Sequence, residues 1–229
     1  MAGHEGWRTG KGNESVKIQL AIDDMTLADA VRLCSEVADY VDIVEIGTPM
    51  IIQEGMNAVR AIREVLPNHE ILADAKIMDA GAYEADLTFD AGADYCTVLG
   101  VTDDLTIKAC LEAASAKGAG VFVDLICVPD VAQRTRELEG FGVELIAVHT
   151  GVDRQAEGVT PFAEFLQVTA ASTSSTISVA GGINEDTIGQ YLAEGCDIVV
   201  VGAGIAGASD PVAAARRLSV LAGREGGDR

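Results

Sequence analysis

The chain has 229 residues, with 36 Asp and Glu against 16 Lys and Arg, giving a formal charge of −20 and a pI of about 4.3. A body of that charge repels nucleic acid and anionic membrane surfaces, while 48% hydrophobic and 23% charged residues describe a packed globule rather than a disordered chain. The acidity belongs to the folded body, because residues 1–15 (Glu5, Arg8, Lys11, Glu14) and 223–229 (Arg224, Glu225, Asp228, Arg229) each sum to zero.

Residues 1–15, MAGHEGWRTGKGNES, are polar and Gly-rich without the apolar stretch of a secretory signal, and are expected to form a flexible arm. No run of about 18 apolar residues is present to span a membrane, so a cytoplasmic protein is expected. From residue 16 one alternation repeats to the end. Strands are predicted at 17–22, 41–46, 70–75, 94–99, 120–125, 143–148, 176–180 and 197–202. Helical patterns follow each, starting with the stripe Leu27, Ala30, Val31 and Cys34, then around 54–65, 80–91, 104–117, 129–140, 160–171, 184–194 and 209–221. Thr26, Asp103, Pro129 and Asp210-Pro211 stand where helices should open. The strands are nearly continuous apolar runs, as parallel strands covered on both faces must be. Eight such units over residues 16–222 predict a single (β/α)8 TIM barrel, with 223–229 a flexible tail. The other arrangement, a doubly wound open sheet, usually shows a Gly-rich turn after its first strand, where this chain has Asp23-Asp24. The five cysteines (Cys34, Cys96, Cys110, Cys127, Cys196) are scattered in apolar settings without CxxC spacing and are expected to be buried, reduced thiols.

In such barrels the loops after the strands build the active face. The residues at those positions are Asp23, Glu45, Asp74 with Lys76 and Asp79, Asp124 and His149. Acids, a lysine and a histidine at equivalent places of a periodic fold have no packing rationale, since they would sit half buried and unpaired. In an extended strand residues 74 and 76 point to one side, toward the barrel mouth. Lys76, flanked by Asp74 and Asp79, should stay ionised and stabilise negative charge developing on a substrate enolate. Glu45 and Asp74 end neighbouring strands and suit a hard divalent cation such as Mg2+ alongside substrate oxygens. His149 is expected to act as an acid or base. After the seventh and eighth strands stand Ala180-Gly181-Gly182-Ile183 and Gly202-Ala203-Gly204-Ile205, the usual phosphate position of the fold. No Lys or Arg lies between Arg154 and Arg216, so a phosphate there must be held by main-chain amides and helix dipoles or by a cation from elsewhere.

The segments AIDD, VEIGTPMIIQEGMNAVR, ILADAKIMDAG, GADYCTVLGV, FVDLICV, VHTGVDRQA, ISVAGGI and VVVGAGI resemble the hexulose-6-phosphate synthase branch of the orotidine-phosphate decarboxylase superfamily, over essentially residues 16–221. The resemblance implies a homodimeric barrel with its active sites at the interface, Asp79 reaching across to the partner's site. It also implies an aldehyde-lyase that joins formaldehyde to D-ribulose 5-phosphate, giving D-arabino-hex-3-ulose 6-phosphate through a 1,2-enediolate stabilised by Mg2+ or Mn2+. In that reading Lys76, His149, Asp79, Asp74 and Asp124 serve catalysis and Glu45 and Asp74 hold the metal. Asp23, Gly181, Gly182, Gly202, Ala203 and Gly204 bind substrate. The sister 3-keto-L-gulonate-6-phosphate decarboxylase shares the DxKxxD motif, but carries Glu where this chain has Asp124 and Arg where it has Val152 and Ala203. Orotidine decarboxylase continues its motif with Ile-Pro, where this chain has Ala80-Gly81, and ribulose-phosphate 3-epimerase needs metal-ligating His where Glu45 and Asp74 stand. A barrel that binds a sugar phosphate without catalysis is the remaining class.

Overall fold

In the computed structural model, which describes residues 16–224, the apolar strands close on themselves in sequence order as an all-parallel barrel. The strands are β1 (Lys17–Ile22), β2 (Ile43–Ile46), β3 (Glu70–Ile77), β4 (Tyr95–Leu99), β5 (Gly120–Asp124), β6 (Leu145–His149), β7 (Thr176–Ala180) and β8 (Ile198–Val201). Closure is made by β8 pairing with β1, Leu20 opposite Val201. Helices α1 (Leu27–Val37), α2 (Thr48–Glu54), α3 (Asn57–Val65), α4 (Gly81–Asp90), α5 (Asp104–Lys117), α6 (Val131–Gly140), α7 (Val152–Ala156), α8 (Phe162–Ala171), α9 (Ile188–Ala193), α10 (Ala203–Ala206) and α11 (Pro211–Leu221) surround it. No helix among the described residues is long and apolar enough to cross a membrane.

Inward side chains of alternate strands stack in layers inside such a barrel. The lower interior is apolar: Ile43, Leu72, Tyr95, Phe122, Leu145 and Ile198 form one buried cluster, with Tyr95 and Phe122 edge to face at 5.4 Å. Toward the C-terminal ends of the strands the interior turns polar, with Gln19, Thr97 and Ser178 buried beneath the acids. The opposite face carries a repeated device. Asp42, Asp94 and Asp197 each stand one residue before an even-numbered strand. Each accepts the main-chain N–H of the second residue of the preceding strand: Ile18 at 2.9 Å, Ile71 at 2.8 Å and Ile177 at 2.7 Å. Arg224 pairs with Asp42 at 3.1 Å and Arg63 pairs with Asp94.

Thr26, Asp103 and Asp210 cap their helices through side-chain oxygens as expected. Pro129 does not open α6; Asp130 does, accepting the Gln133 N–H at 2.8 Å, so the proline lies outside the helix. The helix predicted around 54–65 is α3, beginning at Asn57; α2 precedes it over residues predicted as loop and ends where Gly55 adopts φ 61°. Short α7 and α10 occupy stretches predicted as loop. Four cysteines are buried, and burial pushes the Cys34, Cys110 and Cys196 thiols up to about 12. Cys127 is the exception: β5 ends at Asp124, and Cys127 is exposed in the following turn at φ 62°. Residues 1–15, the whole expected arm, and 225–229 of the expected tail lie outside the described residues, while Arg224, near the start of that tail, is held by its ion pair to Asp42.

Candidate active site

The site is built around a break in β3. Ala73 pairs with Cys96 and Ile77 with Val98, so the ladder shifts between them. Lys76 sits in that break at φ 47°, not in the extended conformation expected of it, yet its ammonium still turns back to the carboxylate of Asp74 at 2.5 Å. Its second anion is Asp124, at 3.3 Å, rather than Asp79. After Ile77 the chain turns outward, and Asp79 is exposed, its Oδ1 accepting the Ala80 N–H at 2.7 Å. Burial opposes the charge on Lys76, but Asp74, Asp124 and Glu45 outweigh it and hold its pKa above the ordinary lysine value.

Asp74 is buried and heavily bonded: Thr48 and Lys76 donate to Oδ2 and Thr97 donates to Oδ1 at 2.7 Å. Asp124, 2% exposed, accepts the Ile126 N–H on Oδ1 at 2.8 Å and faces His149 Nδ1 with Oδ2 at 2.9 Å. Burial resists its charge, but the His149 hydrogen bond and the charges of His149 and Lys76 keep its pKa below the ordinary carboxylate value. An ionised Asp124 can only accept, so it is His149 Nδ1 that donates, which turns Nε2 away from Asp124 toward the mouth.

Glu45 is held by Gln19, whose Nε2 donates to Oε2 at 2.5 Å. Burial and the like charge of Asp74 push its pKa up to about 8. Asp23 leans across the mouth between the exits of β2 and β8. Its Oδ1 fills the place where a side chain at Gly47 would begin, and its Oδ2 lies 3.6 Å from the corresponding point at Gly202. Burial and then Asp74 raise its pKa as well. Acidic side chains brought together in this way are a donor set suited to a cation. Of the roughly four acceptor sites on a carboxylate, three on Asp74 are taken by Thr48, Lys76 and Thr97, leaving room for a ligand. Among the described residues no group of three or more His, Cys, Asp or Glu is placed to hold a metal, so Glu45 and Asp74 fit only an ion that keeps water or substrate oxygens.

The glycine turns after β7 and β8 meet at the same mouth. Gly181 and Gly182 adopt φ 128° and 70°, angles that L side chains avoid. A side chain at Gly204 would lie 2.8 Å from the Ile183 carbonyl, so the two turns touch. Ala203 opens α10 beside them, exposed. The neighbouring Gln155 donates to the Thr150 carbonyl at 2.7 Å and borders Gly181 and Gly182. The structure therefore brings Asp23, Glu45, Asp74, Lys76, Asp124 and His149 into one electrostatically coupled cluster, and leaves Asp79 outside it. Gln19, Thr48 and Thr97 escaped the sequence reading. Their signal was a Gln or Thr at an inward position of an apolar strand, or a Thr opening the following helix.

The chain is similar to known proteins in sequence and fold. The family model described as Orotidine 5'-phosphate decarboxylase / HUMPS family matches residues 16–218. A relative named 3-hexulose-6-phosphate synthase, from Staphylococcus epidermidis, is 47% identical over 205 residues, covering 90% of this chain and 98% of that protein. The crystal structure of 3-hexulose-6-phosphate synthase from Salmonella typhimurium is similar at TM-score 0.89 and 49% identity, covering 90% of this chain and 98% of that one. The crystal structure of 3-keto-L-gulonate-6-phosphate decarboxylase from Vibrio cholerae is similar at TM-score 0.80 and 30% identity, covering 92% and 98%.

Proposed function

Because the chain belongs to the orotidine 5'-phosphate decarboxylase / HUMPS family, we propose that it condenses formaldehyde with D-ribulose 5-phosphate to give D-arabino-hex-3-ulose 6-phosphate. The observation that carries this reading is Asp124 serving two partners: it orients His149 and, with Asp74, holds Lys76 charged. His149 Nε2 removes a proton from C1 of the ketose, and the electron pair of that C–H bond becomes a 1,2-enediolate. Lys76 faces the developing negative charge with an ammonium already in place, which needs no reorganisation as the charge forms. C1 then forms a carbon–carbon bond to formaldehyde, whose oxygen takes up a proton. Asp23 orients the sugar hydroxyls at the mouth. The turns at Gly181–Gly182 and Gly202–Gly204 take the 5-phosphate on main-chain N–H groups. When bound, Mg2+ or Mn2+ supplies Lewis-acid polarisation of the ketose oxygens, and Glu45 and Asp74 are the residues that would hold it.

The partner in solution is a second copy of the chain. Met78, Tyr83, Leu87, Val101 and Leu105 expose apolar surface on α4, α5 and the turns before them, beside exposed Asp79. Covering that face would bury them and carry Asp79 toward the partner's site.

Side-by-side turnover tests the reading: formaldehyde plus ribulose 5-phosphate against 3-keto-L-gulonate 6-phosphate, with Mg2+. Condensation should dominate and Lys76→Ala should abolish it. Dominant decarboxylation would favour the sister activity, and absence of C1 proton exchange in D2O would leave only a binding protein.

A further inference from the structure

We propose that Thr97 is a positioning residue that sets Asp74 and Lys76 with one hydroxyl, a role that rests on the metal and lysine functions proposed above. Between the pairs Ala73–Cys96 and Ile77–Val98, three residues of β3 (Asp74, Ala75, Lys76) face a single residue of β4, and that residue is Thr97. In a regular parallel ladder the main chain of β4 would satisfy the bulged residues; here the side chain does. The Lys76 N–H donates to Thr97 Oγ1 at 2.8 Å, and Thr97 Oγ1 donates to Asp74 Oδ1 at 2.7 Å.

The direction of both bonds is fixed. An N–H can only donate, an ionised carboxylate can only accept, and a hydroxyl has one proton and lone pairs to do both. Thr97 is buried, so neither bond has water as an alternative partner. The same hydroxyl thereby holds Lys76 in its left-handed conformation and turns Asp74 so that Oδ2 meets the lysine ammonium. One group of β4 thus fixes the relative placement of the cation and the carboxylate of β3. Valine matches threonine in shape but can make neither bond, whereas serine can make both.

The test compares Thr97→Val, Thr97→Ser and Thr97→Ala in the full-length protein, with Asp74→Asn as control. Mn2+ binding is read by electron paramagnetic resonance of free Mn2+, alongside kcat and KM for ribulose 5-phosphate and the thermal midpoint. Thr97→Val and Thr97→Ala should each weaken Mn2+ binding by about 10- to 100-fold, the range found when a partner of a metal-ligating group is removed. They should lower kcat more than they raise KM. Thr97→Ser should stay within about threefold of the parent in both, by retaining the two bonds. Thr97→Ala adds no bulk, so it reads out the hydroxyl even if the valine variant fails to fold. Parental Mn2+ affinity and kcat in Thr97→Ala would overturn the proposal, as would Thr97→Ser falling with the other two, since packing of the methyl would then explain the loss. Mn2+ binding that survives Asp74→Asn would instead remove the metal reading, and with it this role for Thr97.

Discussion

Lys76 holds a backbone angle that a side chain disfavours by about 1 kcal/mol or more, and it does so where its ammonium meets Asp74 and Asp124. The strain is separable from the chemistry by substitution. Lys76→Ala and Lys76→Gly both remove the ammonium and leave Asp74 and Asp124 without it, but only glycine adopts φ 47° freely. Both variants should be inactive, while Lys76→Gly should exceed Lys76→Ala in stability by about 1 kcal/mol, roughly 2–4 °C in thermal midpoint. Equal midpoints by calorimetry would mean that the turn relaxes without the lysine. At this scale the charged members of the site were legible in the sequence, because Asp74, Lys76, Asp124 and His149 have no place on a packed strand unless the strand ends there. Gln19 and Thr97 were not: a neutral polar residue in a strand looks like packing until its partners are known. Nor could the spacing of Asp74, Lys76 and Asp79 show which acid faces the lysine, since that depends on where the bulge turns the chain.

The strands and helices separate stability from chemistry by placing them on opposite faces. The aspartates before β2, β4 and β8 stitch these three strands to the odd strand before each through a main-chain N–H. Asp94→Ala removes the acceptor of Ile71 and the partner of Arg63 together. It should cost about 2–3 kcal/mol and lower the midpoint by roughly 5–10 °C in a melting experiment, while kcat of the folded fraction stays unchanged because this face is remote from the site. Glu139, at the end of α6, ties down the turn before β7 by accepting from Ser172, Thr173, Ser174 and Ser175. Burial works against its charge, but the main-chain N–H of Ser174 and the hydroxyls of Thr173 and Ser172 prevail and hold its pKa below the ordinary value of 4.5. A depressed carboxylate pKa stabilises the fold above that ordinary value, and the contribution fades as pH falls through the folded one. The stability gap between the parent and Glu139→Gln, about 1–2 kcal/mol at pH 7 by urea unfolding, should therefore narrow toward pH 3. A gap independent of pH would show that Glu139 has the same pKa in the folded and unfolded chain. Element order and type followed from periodicity alone, since continuous apolar runs and 3.6-residue stripes survive without tertiary context. The helices α2, α7 and α10 did not, because each is too short to show a period.

For the whole molecule the question is how a body carrying −20 finds and holds an anionic substrate. Part of the acidity lies on strand-start caps such as Asp42, Asp94 and Asp197, and in the proposed reading Lys76, the main-chain amides of the glycine turns and a bound metal would offer the attraction at the mouth. The exposed apolar side chains on α4 and α5 offer a second kind of attraction. Leu105 is 75% exposed and Tyr83 69% exposed, so a charge placed there leaves the subunit's own core intact. Leu105→Glu should yield a folded monomer by sedimentation, with activity down at least about tenfold if Asp79 completes the partner's site; an active monomer would confine the whole site to one chain. In the proposed dimer, two subunits of like charge would also set the kinetics of their own encounter. Their repulsion acts over a Debye length of about 8 Å at physiological ionic strength and roughly 30 Å at 0.01 M, while the apolar contact itself is indifferent to salt. Added salt would thus speed pairing and leave separation untouched, and protein diluted into low-salt buffer would recover its assembled form slowly, the reverse of a complex steered together by opposite charges.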